Sequence, residues 1–268
     1  DTTINDWHTT PNTARIRASN PCSEYVQVDN SSCNLASLRV TYFMNEDGTF
    51  RIEDFRRAID LIAKSQDMEF DISSFPTAKI TRNSHRLRNL GLGYTDLGSL
   101  LMLNGLPYDS DEGRATAAAI TALMTGQTYL SSTEIAEKLG PFKEYEKNRD
   151  ATLRVLRKHK EALQGIDRTK IPIGLEGIFD EAKIVWENVI ERAEKYGVRN
   201  AQATVLAPTG TISFQMGADT FGIEPDTGLV KYKLLAEGGV LRIVNQMVPI
   251  ALERLGYDKK QVSDIIEY

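Results

Sequence analysis

Residues 19–24 of the chain read Ser-Asn-Pro-Cys-Ser-Glu, and the other cysteine, Cys33, follows Cys22 by eleven residues. Asn20, Cys22 and Glu24 alternate, so an extended backbone would project their three side chains to one side. An amide, a thiol and a carboxylate would then meet at one point. Such an amide could hold a hydroxyl group, the thiol could support redox or radical chemistry, and the carboxylate could accept the hydroxyl proton.

The same stretch also has a purely structural interpretation. Asn20-Pro21 is a common opening of a turn, Cys22 could be a small buried side chain, and Glu24 could lie on a solvated face. Three residue types within five positions recur by chance in unrelated proteins. The choice between a site and a simple turn therefore depends on the rest of the chain.

The composition limits the classes of protein to consider. A chain of 268 residues with 41% hydrophobic content can bury a core as one large domain or two small ones. Its formal net charge of -5 gives no general attraction to polyanions, so we expect no DNA or RNA partner. The sequence lacks both a long apolar run and a signal peptide at its start. We therefore expect a cytoplasmic protein without a membrane partner.

The cysteines and histidines favour neither a disulfide framework nor a metal site. Two cysteines are too few for such a framework in a chain of this length, and a reducing compartment suits them better. The histidines lack the spacing of zinc ligands, and they are His8, His85 and His159. The chain begins with Asp1 inside a polar stretch, so we expect it to be a fragment of a longer protein.

Apolar side chains at helical spacing predict most of the secondary structure. The predicted helices cover residues 53–70, 90–103, 107–139, 142–164, 176–196 and 241–255. Residues 1–33 are predicted as loop with short strands, and residues 165–175 as a linker. A strand over 35–42 is expected to begin beside Cys33, and a short strand-like run covers 203–206.

Two of these segments invite a functional interpretation that the pattern does not favour. Gly91 and Gly93 could suggest a dinucleotide fingerprint, but the third glycine is misplaced, and close helix packing is the preferred interpretation. The basic cluster within residues 154–160 could suggest a nucleic-acid patch. Nearby acidic residues and the apolar spacing favour a solvated helix face instead.

The stretch 207–213 reads Ala-Pro-Thr-Gly-Thr-Ile-Ser, directly after the predicted strand 203–206. A turn rich in glycine and hydroxyl groups at this place can present backbone N–H groups and hydroxyls to a phosphate without any lysine. An ordinary turn remains the alternative. The candidate phosphate-binding residues are Pro208, Thr209, Gly210, Thr211, Ile212 and Ser213.

Three motifs, in this order along the chain, resemble those of the ribonucleotide reductases. The first combines residues 20–24 with Cys-Asn-Leu-Ala-Ser-Leu at 33–38, and the second is Arg-Asn-Leu-Gly-Leu-Gly at 88–93. The third combines 207–213 with Gly-Ile-Glu-Pro at 222–225. The residues are most similar to those of the adenosylcobalamin-dependent, class II branch. This similarity is seen at residues 8–13, 19–25, 106–114 and 229–233. The similarity covers essentially the whole chain.

The resemblance implies an α/β fold, the helix-rich, ten-stranded α/β barrel of this family, with a finger loop through its centre. Residues 1–268 would supply the finger loop and the second half-barrel, without the N-terminal half-barrel and the effector region. By position, Cys22 would become a thiyl radical and remove the 3' hydrogen of the ribose. Glu24 would accept the 3'-hydroxyl proton, Asn20 would bind the ribose hydroxyls, and Cys33 would be half of the reducing dithiol.

The implied activity is reduction of a ribonucleoside diphosphate to its 2'-deoxy form, with adenosylcobalamin as cofactor and a thioredoxin-type reductant as partner. The resemblance also allows a homodimer. One departure is that the family's second redox cysteine has no counterpart here, nor do its C-terminal shuttle cysteines, so this chain alone is expected to be inactive. A class I enzyme with a separate radical-generating subunit and a non-catalytic module of the same fold remain alternatives. The sequence does not distinguish a diphosphate from a triphosphate substrate.

Overall fold

The computed structural model describes residues 2–234 and 238–267, which form helices around a small parallel sheet. The strands are β1 (Cys33–Arg39), β2 (Asn89–Thr95), β3 (Val230–Leu234) and β4 (Val240–Val244). The helices of the first half are α1 (Thr2–Asp6), α2 (Ile52–Ile72), α3 (Ala78–Leu87), α4 (Leu97–Leu103) and α5 (Asp111–Leu139). The remaining helices are α6 (Tyr145–Ala162), α7 (Glu176–Tyr196), α8 (Gly210–Met216), α9 (Met247–Arg254) and α10 (Lys259–Glu267).

The sheet is built on β2, which is buried along its whole length. β1 pairs with it in parallel, with Cys33 opposite Asn89 and Arg39 opposite Thr95. On the other edge of β2, Leu92 forms a parallel bridge with Thr204. The predicted run 203–206 therefore does lie in the sheet, although only as this single bridge.

The prediction of a helix over 90–103 is wrong for its first half. Residues 89–95 form β2, and only Leu97–Leu103 is helical. The two glycines explain the difference, because a Cβ on Gly93 would lie 2.3 Å from the carbonyl oxygen of Val205, and one on Gly91 would lie 2.7 Å from a methyl of Leu35. The glycines thus serve close approach of neighbouring strands, and the apolar spacing reflects a strand buried on both faces.

The main core lies between α5 and α7. Trp186 of α7 is fully buried, and its indole Nε1 donates to the carbonyl of Ala122 at 2.9 Å. Gly126 makes room for it, because a Cβ there would lie 2.9 Å from Trp186 Nε1. The small residues of α5 therefore allow the close helix packing that brings the indole into the core.

The predicted helices 53–70, 107–139, 142–164 and 176–196 are confirmed as α2, α5, α6 and α7. Ser110 caps α5 by accepting a hydrogen bond from the N–H of Gly113, and Gly197 ends α7 at a positive φ of 73°. The basic side chains of α6 form surface ion pairs, including Arg157 with Glu194 and Lys158 with Asp6. The solvated-face interpretation of this cluster is therefore supported.

Three further predictions require correction. Residues 2–6 form a short helix rather than loop, and the strand predicted over 35–42 occupies 33–39, followed by a 3-10 turn over Val40–Phe43. The helix predicted over 241–255 begins only at Met247, because Val240–Val244 pairs antiparallel with β3. Pro249 then falls in the first turn of α9, where a proline needs no hydrogen-bond donor. The predicted linker 165–175 begins at the end of a 3-10 turn, Leu163–Gly165, and contains another, Arg168–Lys170.

In the ranges 2–234 and 238–267, no helix is long and apolar enough to cross a membrane.

Candidate active site

The stretch 19–26 forms a tight turn rather than an extended segment. The N–H of Ser23 donates to the carbonyl of Asn20 at 3.0 Å, and Ser19 forms an antiparallel bridge with Val26. The side chain of Asn20 is part of the turn, because its Oδ1 accepts from the N–H of Tyr25 at 3.0 Å. Ser23 adopts a positive φ of 69°. The prediction that Asn20, Cys22 and Glu24 share one face through strand alternation is therefore wrong.

The physical reason for the turn lies in its first residues. Proline fixes the φ value that the second position of a turn needs, and an asparagine before it can accept a backbone hydrogen bond. Asn20 does so twice, with its carbonyl and with its side chain. As a result Cys22 stands exposed at the tip of the turn, whereas Glu24 points back toward the protein and is half-buried.

Glu24 reaches a cavity of about 580 Å³ beneath the turn. Side chains of α5, α6 and α7 line it, among them Thr121, Thr125, His159 and Trp186. The Oε2 atom of Glu24 is buried and has no hydrogen-bond partner among the described residues. Burial lowers the pKa of His159 to about 4, so this imidazole is neutral at pH 7 and gives Glu24 no positive neighbour.

Cys33 opens β1 and is half-buried. Burial, together with the negative charge of Glu24, raises the pKa of the Cys33 thiol to about 12. At neutral pH this thiol therefore keeps its proton. Gly91 of β2 leaves room for it, since a Cβ at that position would lie 3.2 Å from Cys33 Sγ.

The four predicted catalytic residues thus have different surroundings in the structure. They are Asn20, Cys22, Glu24 and Cys33. Glu24 and Cys33 are close enough for the carboxylate charge to act on the thiol. Cys22 and Cys33 are both free thiols, one exposed at the turn and the other at the start of β1. The carbonyl side of the Asn20 amide is used by the turn, which leaves its NH₂ group as the part able to donate to a ligand.

Tyr25 connects the turn to the sheet, a role that the sequence interpretation missed. Its buried hydroxyl accepts from Asn89 Nδ2 at 2.9 Å and lies 2.8 Å from Ser31 Oγ. Asn89 is the register partner of Cys33, and its Oδ1 is buried without a partner among the described residues. The sequence offered one signal for this role, a tyrosine that directly follows Glu24 in the turn. A buried tyrosine usually finds a polar partner for its hydroxyl.

The predicted phosphate loop lies at the carboxyl end of β2. Residues 210–216 form α8 rather than an open turn, and Thr209 precedes the helix at a positive φ of 53°. The hydroxyls of Thr209 and Ser213 are buried, and they contact Thr95 at 2.8 and 3.1 Å. Gly210, Thr211 and Ile212 are exposed, so this part of the loop keeps its backbone N–H groups at the surface.

Gly222 closes the same end of the sheet. It has a positive φ of 49°, and a Cβ there would lie 2.8 Å from the carbonyl oxygen of Ala207. The motifs 207–213 and 222–225 are therefore in direct contact. Across the two described ranges, no group of three His, Cys, Asp or Glu side chains could hold a metal ion.

Comparison with known proteins agrees with this arrangement. A family model described as "Ribonucleotide reductase, barrel domain" matches residues 1–268. A protein of Rhodopirellula baltica named vitamin B12-dependent ribonucleotide reductase is 50% identical over 268 residues, which is 100% of this chain and 25% of that protein. One of the same name from Streptomyces avermitilis is 46% identical, over 100% of this chain and 28% of its own length.

A more distant relative is the ribonucleoside-diphosphate reductase large chain of Encephalitozoon cuniculi, 29% identical over 94% of this chain and 31% of that protein. The chain thus spans about a quarter to a third of the length of these relatives. The family and the α/β barrel class inferred from the motifs are confirmed. The chain belongs to the ribonucleotide reductase barrel-domain family.

Proposed function

We propose that this chain is part of the catalytic barrel of a class II ribonucleotide reductase, contributing the finger loop and the second half-barrel. The observation that carries the proposal is that the negative charge of Glu24 acts on the thiol of Cys33. The carboxylate of Glu24 has an oxygen without a partner and lies on the turn whose exposed tip is Cys22. Its charge acts on the thiol of Cys33, which stays protonated at neutral pH. Such a set can transfer hydrogen and accept a proton at one ligand.

Each side chain suits one role in the reduction of a ribonucleotide to a 2'-deoxyribonucleotide. Cys22, as a thiyl radical, removes the 3' hydrogen of the ribose, and Glu24 accepts the 3'-hydroxyl proton at its unpartnered oxygen. The free NH₂ group of Asn20 donates to a ribose hydroxyl. Cys33 gives its thiol proton to the 2'-hydroxyl, which leaves as water, and a second thiol supplies the hydrogen that takes its place at C2'. Cys22 then returns the hydrogen to C3', and Glu24 returns the proton to the 3' oxygen.

The electrons require a second thiol. Two thiols that become one disulfide release two electrons, which is what the loss of the hydroxyl needs. Cys22 carries the radical, so Cys33 must pair with a cysteine outside the 268 residues of this sequence. A thioredoxin-type reductant would then restore the dithiol through cysteines that are likewise outside this chain. A cytoplasmic setting and a homodimer fit this scheme.

Adenosylcobalamin is the cofactor implied by the names of the two relatives at 50% and 46% identity. When bound, it supplies the radical chemistry that amino-acid side chains cannot. The chain fits such a cofactor in one respect, because the thiol of Cys22 is exposed at the tip of the turn. The identity to these vitamin B12-dependent relatives exceeds the 29% identity to the Encephalitozoon cuniculi large chain, which supports class II.

The substrate phosphates are assigned to the loop Pro208–Ser213. Its exposed part offers the first N–H groups of α8 and the hydroxyl of Thr211, and these donate to anionic oxygens. The buried hydroxyls of Thr209 and Ser213 hold the loop rather than the ligand. A ribonucleoside diphosphate is the substrate that the resemblance implies.

The radical role of Cys22 and the proton role of Glu24 can be separated in the full-length enzyme. Cys22→Ser should abolish both nucleotide reduction and adenosylcobalamin-dependent hydrogen exchange with solvent, because a serine O–H bond is much stronger than a thiol S–H bond. Glu24→Gln should retain the exchange. Its reduction rate should fall by about a hundredfold to ten-thousandfold, the range for a lost general base.

Asp29→Asn is the matched control, since Asp29 is an exposed carboxylate on the same segment and pairs only loosely with Arg17 at 3.9 Å. It should leave both measurements near their original values. Equal loss of exchange in Glu24→Gln and Cys22→Ser would show that Glu24 is needed to form the radical or to shape the turn. The proton-accepting role would then be wrong.

A further inference from the structure

Three buried hydroxyl groups form a hydrogen-bonded cluster at the carboxyl end of β2. Ser213 Oγ donates to Thr209 Oγ1 at 2.9 Å, and Thr209 Oγ1 donates to Thr95 Oγ1 at 2.8 Å. Thr95 Oγ1 in turn donates to the carbonyl oxygen of Thr220 at 3.2 Å. Thr95 Oγ1 also lies 3.1 Å from Ser213 Oγ, so the three hydroxyls form a closed cluster. The Thr220 carbonyl, which can only accept, takes a hydrogen bond from this cluster through Thr95.

The backbone N–H of Gly222 completes this arrangement. It lies 2.9 Å from Thr95 Oγ1 and 2.8 Å from Thr209 Oγ1, so it donates toward both oxygens. Thr95 thereby contacts the loop Pro208–Ser213 on one side and the segment 220–222 on the other. Since Thr95 is fully buried, it cannot touch a ligand itself.

The position of Thr95 is rigid because its neighbour Asp96 is held from several directions. Asp96 Oδ1 accepts from the N–H groups of Asp219 and Thr220, both at 3.0 Å. Asp96 Oδ2 accepts from Arg39 Nε at 2.8 Å and from Thr41 Oγ1 at 2.5 Å. The end of β2 is thus fixed independently of the loop that Thr95 holds.

We propose that Thr95 is a positioning residue that sets the geometry of the loop Pro208–Ser213 and thereby its affinity for the phosphate groups of the nucleotide. The inference rests on the proposed function, because it requires that this loop binds phosphate. Removing the Thr95 hydroxyl would take one hydrogen-bond partner from both Thr209 and Ser213, and would remove the donor to the carbonyl of Thr220. The loop would then lose its fixed position, while residues 20–33 keep theirs.

The test measures equilibrium binding of CDP and of cytidine to the full-length enzyme. Thr95→Val keeps the shape and removes the hydroxyl, and it should weaken CDP binding about tenfold, as expected when a buried polar group loses its partner. Cytidine, which has no phosphate, should bind as before. Thr95→Ser restores the hydroxyl and should recover CDP affinity to within about threefold. In turnover, Thr95→Val should raise KM and leave kcat within about twofold.

Thr128→Val is the matched control. Thr128 is also fully buried, but its hydroxyl donates only to the carbonyl of Met124 in its own helix, at 2.7 Å. The Thr128→Val protein should be less stable, but its affinity for CDP should not fall relative to its affinity for cytidine. If Thr95→Val does not fold, Ser213→Ala replaces it, because that change removes one hydroxyl of the same cluster and should also weaken CDP selectively.

Gly210→Val separates failure of this inference from failure of the phosphate assignment. A Cβ added at exposed Gly210 meets nothing within 4 Å, so the variant should fold and weaken CDP binding by obstructing the loop surface. Weakened CDP binding in Gly210→Val, with Thr95→Val equal to Thr128→Val, would overturn the role of Thr95 alone. Unchanged CDP binding in Gly210→Val would remove the loop from the phosphate site, and the inference would fall with it.

Discussion

At the scale of single residues, the two cysteines differ in the property that governs their chemistry. Cys22 is exposed, whereas Cys33 is half-buried, and burial together with the Glu24 charge raises the pKa of its thiol to about 12. A thiol with that pKa is ionised in only about one molecule in ten thousand at pH 8. The thiolate is the nucleophile in alkylation and disulfide exchange, so Cys33 is protected from both.

We therefore expect iodoacetamide at pH 8 to modify Cys22 at least about a hundredfold faster than Cys33 in the native protein. Glu24→Gln should speed modification of Cys33, because removing the negative charge lowers the thiol pKa, while Asp29→Asn should not. Mass spectrometry of the two cysteine-containing peptides over time gives both rates. Similar rates for the two thiols would contradict the burial of Cys33.

The sequence predicted which residues belong to the turn but not how they are arranged. Asn20, Cys22 and Glu24 were identifiable because their types suit one chemistry within a short window. Their conformation depends on the positive φ of Ser23 and on the bond from the Tyr25 N–H to the Asn20 side chain. The alternation of side chains along an extended strand predicts neither of these two features. Thr95 was not identifiable, since its hydroxyl partner Thr209 lies 114 positions away.

At the scale of elements, long helices were predictable and β2 was not. α7 agrees with its predicted range 176–196, because one apolar face of a helix leaves a clear period in the sequence. β2 is buried on both faces, so its residues show no alternation, and the glycines needed for close strand approach resemble helix-packing glycines. The need for glycine at position 93 comes from the nearby backbone carbonyl of Val205, which the sequence alone does not place beside it.

Gly93→Ala should therefore destabilise the protein by about 1–3 kcal/mol, the range for overpacking a tight interior. The added Cβ would lie 2.3 Å from a backbone oxygen, which cannot rotate away. Gly91→Ala should cost less, because its nearest contact is the flexible side chain of Leu35. Gly165→Ala, where a Cβ meets nothing within 4 Å, is the control. Urea denaturation measures all three, and equal midpoints for the Gly93 and Gly165 variants would refute the close approach.

At the scale of the whole molecule, the carboxyl end of β2 is where distant parts of the chain meet. Asp96 accepts hydrogen bonds from Arg39 at the end of β1, from Thr41 just after it, and from Asp219 and Thr220 after α8. The order of the motifs along the sequence indicated the family of the chain. It gave no distances between these segments. Burial opposes ionisation of Asp96, yet the hydrogen bonds from Ser99, Thr41, Thr220 and Arg39 hold its pKa below the usual range.

Asp96→Asn should accordingly destabilise the protein at pH 7 by about 3–5 kcal/mol, since Arg39 would lose its buried partner. The pKa of Asp96 is lower in the folded protein than the value of 3.8 for a free side chain, so the carboxylate contributes its full stabilisation above about pH 4. That contribution is lost as the pH falls through the folded pKa. The difference in unfolding free energy between the original protein and Asp96→Asn should stay constant from pH 7 to about 5 and narrow below pH 4. Asp29→Asn, at an exposed carboxylate that lies 3.9 Å from Arg17, provides the control for general acid effects. A difference that stayed constant down to pH 2 would mean that ionised Asp96 is not what holds the end of β2 to the surrounding loops.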